Sequence, residues 1–397
     1  MPPVGVGSQP QKPHKLYLDK YFQIICAVSL IAVLGVASVT PAFPKLAEAL
    51  EVAPQNVGWL VTAFTFPTMV LGPVIGVLAD RSGRKKILVP ALFLFGIAGA
   101  ACAVAPNFAV LLLLRFLQGI GAAPLLSLSV TLIGDLYAGE KRTTAMGYNA
   151  SVSSIGTAIY PTIGGALATL GWNYPFFLPL VAIPVGLLVL FILKSPEPQG
   201  ERNLREYLRN ALNILKNRQI VGLFIGSAAN FILLYGAYVT YLPTLIDDSF
   251  KASALTIGLI LSSVSVAIAF TSSQLGRLAR RFSEGTLIRA SFVFYALALL
   301  IVPFVPSLWL LLIPTTLFGV GLGIGMPSIQ TLLAELAPRE YLATVMSING
   351  TFFGLGQTLG PLLMGIAFGI GGISSVFYAG VAFAFLTLVV FRYCNCM

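Results

Sequence analysis

An arginine lies inside one of the long apolar segments of the chain. Arg115 stands in the run 108–136, and Gln118 follows it after almost one helical turn. A guanidinium in hydrocarbon costs about 3 kcal/mol or more, so an arginine at that depth indicates a functional role. The alternative is a long side chain that extends to the membrane interface. Because Gln118 continues the polar face inward, we expect Arg115 and Gln118 to line an internal cavity.

The apolar run 219–246 carries an asparagine and several tyrosines. At 100° per residue on an α-helix, Asn230, Tyr238 and Tyr241 fall within about 80° of one another. Tyr241 stands near the end of the run, where aromatic side chains also belong to the membrane interface. Asn230 is too far from that end for an interfacial role. We therefore expect Asn230 to line a cavity, with Tyr238 on the same face.

A basic loop rich in glycine follows the second apolar segment. Gly83 permits a tight turn, the small Gly76 permits close helix packing, and Asp80 offers a carboxylate to a helix N-terminus or a guanidinium. A weaker copy in the second half has Arg280 in place of the acid. The pattern favours a conformational latch, and the alternative is a basic loop that only fixes the topology. The latch residues are Gly76, Asp80, Arg81, Gly83, Arg84 and Asp135.

Acidic residues are nearly absent from the apolar segments. Asp135 and Glu335 stand at segment ends beside the basic loops, where we expect them to pair with loop arginines such as Arg84 or Arg142; the alternative is a proton-carrying role in the transport path. The first segment has no carboxylate between residues 22 and 43. This absence weighs against an obligatory cationic substrate.

Glycines and prolines at helical spacing mark two further segments. Asn149, Ser153, Gly156 and Tyr160 recur on one stripe, and small residues on a stripe allow helices to pack closely. A proline in the same stretch bends a helix. We expect helix–helix contacts at Gly156, Pro161, Gly165, Gly356, Gly360, Pro361 and Gly365.

The composition places these residues in a membrane. The chain of 397 residues is 57% apolar and 10% charged, whereas a soluble protein carries about 25% charged residues. The net charge of +10 fits cytoplasmic loops on a membrane protein rather than a nucleic-acid partner. The four cysteines do not form a secreted disulfide framework.

Twelve apolar segments are long enough to cross a bilayer as helices, which takes about 20 residues each. We therefore predict an all-α membrane protein with twelve transmembrane helices. The predicted spans are 22–43, 56–79, 86–105, 108–136, 143–170, 172–193, 219–246, 254–278, 284–304, 307–336, 341–369 and 371–392.

The basic residues of the loops predict the orientation. Twenty-one lie on the side of the N-terminus and two on the other side. By the positive-inside rule, the tails 1–21 and 393–397 and the central loop 194–218 are cytoplasmic. The second half of that loop, from about residue 203, is either an amphipathic helix on the inner leaflet or a solvated linker. The chain is predicted to be a multi-pass plasma membrane protein, in a bacterium an inner-membrane protein.

The two halves of the chain repeat at an offset of 200 residues. Matches at this offset include Asn149 with Asn349 and Pro161 with Pro361. Because each half holds an even number of spans, 22–193 and 219–392 enter the membrane in the same orientation. Such parallel repeats are typical of transporters with a substrate site at their interface.

The motifs resemble those of the major facilitator superfamily, in particular its drug/proton antiporter branch. Residues 76–88 match the loop motif G-x-L-A-D-R-x-G-R-[KR]-x-x-L, residues 115–122 match R-x-x-Q-G-x-G-A, and residues 156–165 match G-x-x-x-G-P-x-x-G-G except at Tyr160. The resemblance covers about residues 20–392. It implies the major facilitator fold, a site walled by the first, fourth, seventh and tenth spans, and an influence of Arg115 on proton movement.

The expected function is transport and not catalysis. The sequence has no glycine-rich phosphate loop, metal-ligand cluster or nucleophile elbow, so we predict no cofactor, with energy from a gradient or from the substrate itself. The resemblance implies that the gradient is one of protons. Together with the resemblance, this predicts export of small amphipathic or drug-like molecules by alternating access, with protons moving inward. The alternatives are a uniporter or exporter of a neutral or anionic metabolite, and a receptor or scaffold that does not transport. The partners expected are a small-molecule substrate and the lipid bilayer, with the protein acting as a monomer.

Overall fold

The structure is a computed structural model that describes residues 16–193, 217–337 and 342–394. All regular secondary structure in these ranges is helical. The tail 1–15, most of the central loop with its candidate amphipathic helix, residues 338–341 and residues 395–397 lie outside the described residues. The side chain of Asp80 and the surroundings of Gly76 also lie outside them, although both residues belong to a helix.

The N-terminal half follows the predicted spans with two breaks. The first predicted span ends early at Ala37, because Pro41 has no amide proton to donate to the carbonyl of Ala37. Both the amide and the hydroxyl of Ser38 donate to the carbonyl of Leu34 at this helix end, at 3.2 and 2.8 Å. The fourth span breaks at Pro124 for the same reason. The helices are α1 (Lys20–Ala37), α2 (Phe43–Ala49), α3 (Gly58–Ser82), α4 (Arg84–Ala101), α5 (Phe108–Ala122), α6 (Leu125–Leu136), α7 (Gly139–Leu170) and α8 (Ala182–Phe191), with a 3-10 segment at Tyr174–Val181.

The C-terminal half contains one unusual helix and one sharp turn. A π-helical segment, Leu233–Tyr241, joins the first two helices of this half. The last helix is interrupted at Gly371 and Gly372, where Gly372 has a φ of +73°, a backbone conformation that favours glycine. The helices are α9 (Arg218–Ile232), α10 (Leu242–Phe250), α11 (Ala254–Leu278), α12 (Glu284–Ile301), α13 (Leu312–Leu336) and α14 (Leu342–Tyr393).

Nine helices within residues 16–193, 217–337 and 342–394 are long and apolar enough to cross a membrane. The last of them, 344–393, contains the turn at Gly371 and Gly372, where the final two predicted spans meet. The predicted spans 56–79 and 143–170 are helical but are not among the nine. The helical membrane architecture is therefore confirmed, and the number of twelve crossings stays a prediction.

The buried apolar side chains form two large clusters that follow the two halves of the sequence. One cluster extends from Phe22 to Leu193 and the other from Ile220 to Phe391. Each half therefore has its own core. The contacts between the halves are made chiefly by α3 with α14 and by α7 with α11.

These inter-half contacts are tight on one side of the molecule, which we call the opposite face: the side where α1 ends at Ala37 and α3 begins at Gly58. A Cβ on Gly258 of α11 would collide with the carbonyl of Pro161 in α7. On Gly58 of α3, a Cβ would lie 2.8 Å from the carbonyl of Pro361 in α14. The two contacts are equivalent at the 200-residue offset, as parallel repeats require.

The remaining motif glycines pack in two ways. Gly165 and Gly365 also lie between the halves, against the backbone of Ala254 and of Gln55. Gly156 instead packs against Leu30 of α1, inside the N-terminal half. In the C-terminal half, Gly356 and Gly360 pack in the same way against the backbone of α9. Small residues thus bring helices together both within and between halves.

The halves separate toward the other side, which we call the terminal face: the side where α1 begins at Lys20 and α14 ends at Tyr393. Gly147 and Gly165 of α7 are 18 residues apart, or five full turns, so they share one stripe. The same spacing relates Gly276 to Gly258 on α11. A Cβ added to Gly147 or Gly276 would meet no described atom within 4 Å. The same stripes are therefore packed at the opposite face and open toward the terminal face.

This difference predicts unequal effects of the same substitution. Gly258→Leu should destabilise the protein by about 1–3 kcal/mol, because the new side chain collides with the backbone of α7. Gly276→Leu, the matched control on the same stripe, should be neutral or slightly stabilising, since leucine favours helix over glycine. Thermal unfolding in detergent micelles measures both. Equal losses would contradict closure at the opposite face.

Candidate functional site

Arg115 is completely buried in the N-terminal half. Its Nη1 donates to the carbonyl of Gly35 at 2.9 Å and to Oε1 of Gln118 at 2.8 Å, and its Nε donates to the carbonyl of Leu60 at 3.4 Å. Gly35 lies in the last turn of α1, where carbonyls lose their intrahelical donors and carry the negative end of the helix dipole. The guanidinium therefore stabilises a helix end, and it does not extend to the membrane interface.

Aromatic rings and glycines enclose the guanidinium. Its Cζ lies 4.8 Å from the ring centre of Phe64 and 5.7 Å from that of Phe176. Arrangements of this kind attract a cation to the face of the ring. A Cβ on Gly119 would collide with the backbone of Phe64, and one on Gly121 would lie 2.6 Å from the amide nitrogen of Phe95. The R-x-x-Q-G-x-G pattern of α5 is thus a set of close contacts with α3 and α4.

Two polar groups of this cluster keep unused hydrogen-bonding capacity. Nη2 of Arg115 and Nε2 of Gln118 have no hydrogen-bond partner among the described residues. Gln118 is fully buried like Arg115, and its amide nitrogen packs against Gly99 of α4. In this conformation both side chains lie inside one half, away from the surface between the halves.

Asn230 and Tyr238 lie within the other half. Tyr238 stacks on Phe318 of α13 with ring centres 5.1 Å apart, and its hydroxyl donates to the carbonyl of Ile260 at 3.3 Å. Asn230 is 2% exposed, and neither atom of its side-chain amide has a partner in the part of the chain that the structure describes. The structure therefore does not bring Asn230 and Tyr238 together with Arg115.

The prediction that Tyr238 and Tyr241 share a face is wrong. Tyr238 packs inside the C-terminal half, whereas the hydroxyl of Tyr241 reaches the carbonyl of Gln55 in the other half. The cause is the π-helical segment, in which the wider turn changes the angle between successive side chains. The hydroxyl of Thr240 bonds the carbonyl of Tyr235, five residues earlier, within this segment.

Three aromatic side chains that the sequence did not single out lie where the contact between the halves ends. Phe231 of α9 lies 4.7 Å from Phe353 of α14 and 5.9 Å from Tyr235, measured between ring centres. All three are half-buried, and Tyr235 packs against the apolar core of the N-terminal half. The next residue after Phe353, Gly354, contacts Met69 of α3. We call Phe231, Tyr235 and Phe353 the aromatic cluster.

The sequence gives little signal for the aromatic cluster, because the chain contains 27 phenylalanines and most membrane helices carry several. A π-helical segment cannot be recognised from hydrophobic periodicity. Tyr160, which replaces a motif glycine, is half-buried on α7 and packs against the N-terminal core. Aromatic side chains at a gap between helices can stack on planar ligands.

The described part of the latch lies at the terminal face. Gly83 has a φ of +96° and forms the turn between α3 and α4. Arg84 and Asp135 form the expected ion pair, with side chains 21% and 22% exposed, and the guanidinium of Arg142 lies against Gly134. Arg81 is exposed. This pairing joins the start of α4 to the end of α6.

Two helical halves that pack at one face, separate at the other and enclose aromatic side chains between them define a membrane transporter. The sequence model of the Major Facilitator Superfamily matches residues 25–249 and 233–394. The chain therefore belongs to the major facilitator superfamily, and it is a transporter and not an enzyme.

Individual relatives agree with this assignment. The chain is 29% identical over 353 residues to the bacillibactin exporter of Bacillus subtilis (strain 168), covering 85% of this chain and 87% of the relative. It is 27% identical over 357 residues to multidrug resistance protein 1 of the same organism, covering 89% and 91%.

A solved structure shares the fold. A bacterial homologue of the human lysosomal transporter Spinster, in an inward-facing and occupied conformation, aligns with a TM-score of 0.78 at 17% identity. The alignment covers 97% of this chain and 96% of that chain.

The contacts of Arg115 predict a stability effect. Arg115→Leu should lower the free energy of unfolding by on the order of 2 kcal/mol, because it leaves the buried carbonyl of Gly35 without its donor. Arg289→Leu, an exposed arginine on α12, is the control and should change stability by about 0.5 kcal/mol or less. Thermal unfolding compares the two. An unchanged midpoint of thermal unfolding in Arg115→Leu would contradict a structural role of the guanidinium.

Proposed function

We propose that this protein exports small amphipathic, drug-like molecules by alternating access. The observation that carries the proposal is the aromatic cluster at the closed end of the gap between the halves. Phe231 and Phe353 come from different helices and remain half-exposed there, so a planar apolar molecule entering the gap can stack on them. The names of the relatives, a bacillibactin exporter and a multidrug resistance protein, support this substrate class.

The direction of transport follows from the loop charges. Twenty-one basic loop residues on the side of the N-terminus against two on the other make the terminal face cytoplasmic. The gap of this conformation then opens to the cytoplasm, where an exporter takes up its substrate. We place the protein in a plasma membrane and expect it to function as a monomer.

The energy source in this proposal is the proton gradient. Arg115 is the residue that would influence proton movement, since its charge lies buried beside the amide nitrogen of Gln118, which has no partner among the described residues. Asp80 with the Arg84–Asp135 pair acts as the latch that holds the terminal ends of the helices in one state. Uniport of a neutral or anionic metabolite is the second candidate, favoured by the lack of a carboxylate in the first span.

Flux in liposomes tests the function. In proteoliposomes whose transporter has its cytoplasmic face outward and whose lumen is acidic, added ethidium should accumulate in the lumen. The luminal pH should rise at the same time, because protons leave the lumen in exchange for the dye that enters. A pH-sensitive dye in the lumen records the protons. Dye transport without a change in luminal pH would contradict proton antiport and support uniport. If neither ethidium nor the neutral dye Nile red were transported, export of drug-like molecules would be contradicted.

The aromatic cluster gives the site-specific arm of this experiment. Phe231→Ala should lower the initial rate of dye transport about three- to tenfold, through lost ring stacking. Phe270→Ala is the matched control, since Phe270 of α11 is 71% exposed and lies outside the cluster. An equal effect of both variants would place the site elsewhere.

The orientation has its own test. Single cysteines at Ser8 and Gly200, in a background without native cysteines, should resist an impermeant thiol reagent applied to intact cells, because both positions are cytoplasmic in this proposal. Permeabilised cells provide the control for reactivity. Labelling of either cysteine in intact cells would contradict the orientation.

A further inference from the structure

Tyr241 joins the two halves at the opposite face. It ends the π-helical segment and is fully buried. Its hydroxyl lies 2.8 Å from the carbonyl of Gln55, just before α3, and 3.3 Å from the carbonyl of Pro361 in α14. A phenol has a single proton to donate, and the shorter distance assigns it to Gln55. The stronger hydrogen bond therefore crosses from the C-terminal half to the N-terminal half.

Two glycines create the space for this hydroxyl. A Cβ on Gly365 would lie 2.6 Å from the phenol oxygen, and one on Gly58 would lie 3.1 Å from it. Both glycines also form the backbone contacts between α3 and α14. The hydroxyl thus lies at the centre of the closed interface, where no side chain larger than glycine fits beside it.

The second interface between the halves, formed by α7 and α11, has no tyrosine at the position equivalent to Tyr241. At the 200-residue offset, the position equivalent to Tyr241 is Pro41, whose side chain has no donor. Hydroxyl contacts occur at both interfaces: Thr162 with Ser262, 2.9 Å apart, between α7 and α11, and Thr62 with the carbonyl of Thr358, 2.9 Å apart, between α3 and α14. The Tyr241–Gln55 hydrogen bond therefore belongs to the α3–α14 side alone, and the internal repeat does not reproduce it on the α7–α11 side.

We propose that the Tyr241–Gln55 hydrogen bond shifts the equilibrium between the state closed at the opposite face and the state open there toward the closed state. The bond exists only while the halves touch at this face. When they separate, water can satisfy the carbonyl of Gln55, whereas in the closed state a missing donor leaves that partly buried carbonyl without its partner. A contact made in one state shifts the populations toward that state.

The π-helical segment determines which residue takes this role. Its wider turn directs Tyr238 into the C-terminal half and Tyr241 toward Gln55. Tyr238 is thereby an internal control. It is a buried tyrosine on the same segment, also bonded to a backbone carbonyl, but its hydrogen bond stays within one half.

The test measures distances across the opposite face in the full-length protein. Spin labels at Glu48→Cys and Ser307→Cys, exposed positions in the N- and C-terminal halves, report opening of this face by double electron–electron resonance. The four native cysteines are replaced by alanine. Tyr241→Phe should raise the ratio of the long-distance to the short-distance population about two- to tenfold, the effect of one neutral hydrogen bond. Tyr238→Phe should leave that ratio unchanged.

A second variant tests the same contact without removing the hydroxyl. Gly365→Ala displaces the phenol oxygen and also crowds the carbonyl of Gln55, so it should shift the ratio in the same direction as Tyr241→Phe. An unchanged ratio in Tyr241→Phe, or an equal shift in Tyr238→Phe, would overturn the proposal. The proposal rests on alternating access, but the distance measurement uses no substrate. Its failure is therefore distinguishable from a failure of the proposed export.

Discussion

Close backbone contact between helices of different halves is the constraint on which this structure depends. In a bilayer there is no hydrophobic effect to hold helices together, so contact distance and small residues decide which surfaces associate. Gly258 against Pro161 and Gly58 against Pro361 provide this contact twice, at positions related by the internal repeat. Because both contacts lie near one face, the two halves are joined there and are free to diverge at the other.

The buried arginine serves the N-terminal half rather than the interface in this state. Arg115 bonds the end of α1 and lies between the rings of Phe64 and Phe176, so its charge is compensated by carbonyl dipoles and ring faces and not by a carboxylate. A charge held in this way is sensitive to movements of α1, which ends at the closed face. This position gives Arg115 a physical route to influence transport without contacting a substrate.

The fold was predictable because its main determinants are local or periodic. A membrane helix satisfies its own backbone groups, so its existence follows from composition and length. Two predicted spans are interrupted, one after Ala37 and one at Pro124, because a proline lacks the amide proton that a helix needs. The length of an apolar segment does not predict such a break. The glycine and proline motifs predict that helices approach closely, but not which helices meet.

The membrane class, the family, the repeat and the pairing of Asp135 with a loop arginine follow from the sequence alone, since they depend on composition, spacing and charge. Which arginine pairs with Asp135, and which side chains face the gap, follow only from the packing of the helices. Phe231 and Phe353 resemble many other phenylalanines in the chain, and their role depends on where two distant helices diverge. Likewise, Tyr238 and Tyr241 separate because a π-helical turn replaces the regular 100° per residue. Such positions result from packing between segments far apart in sequence, which local patterns do not encode.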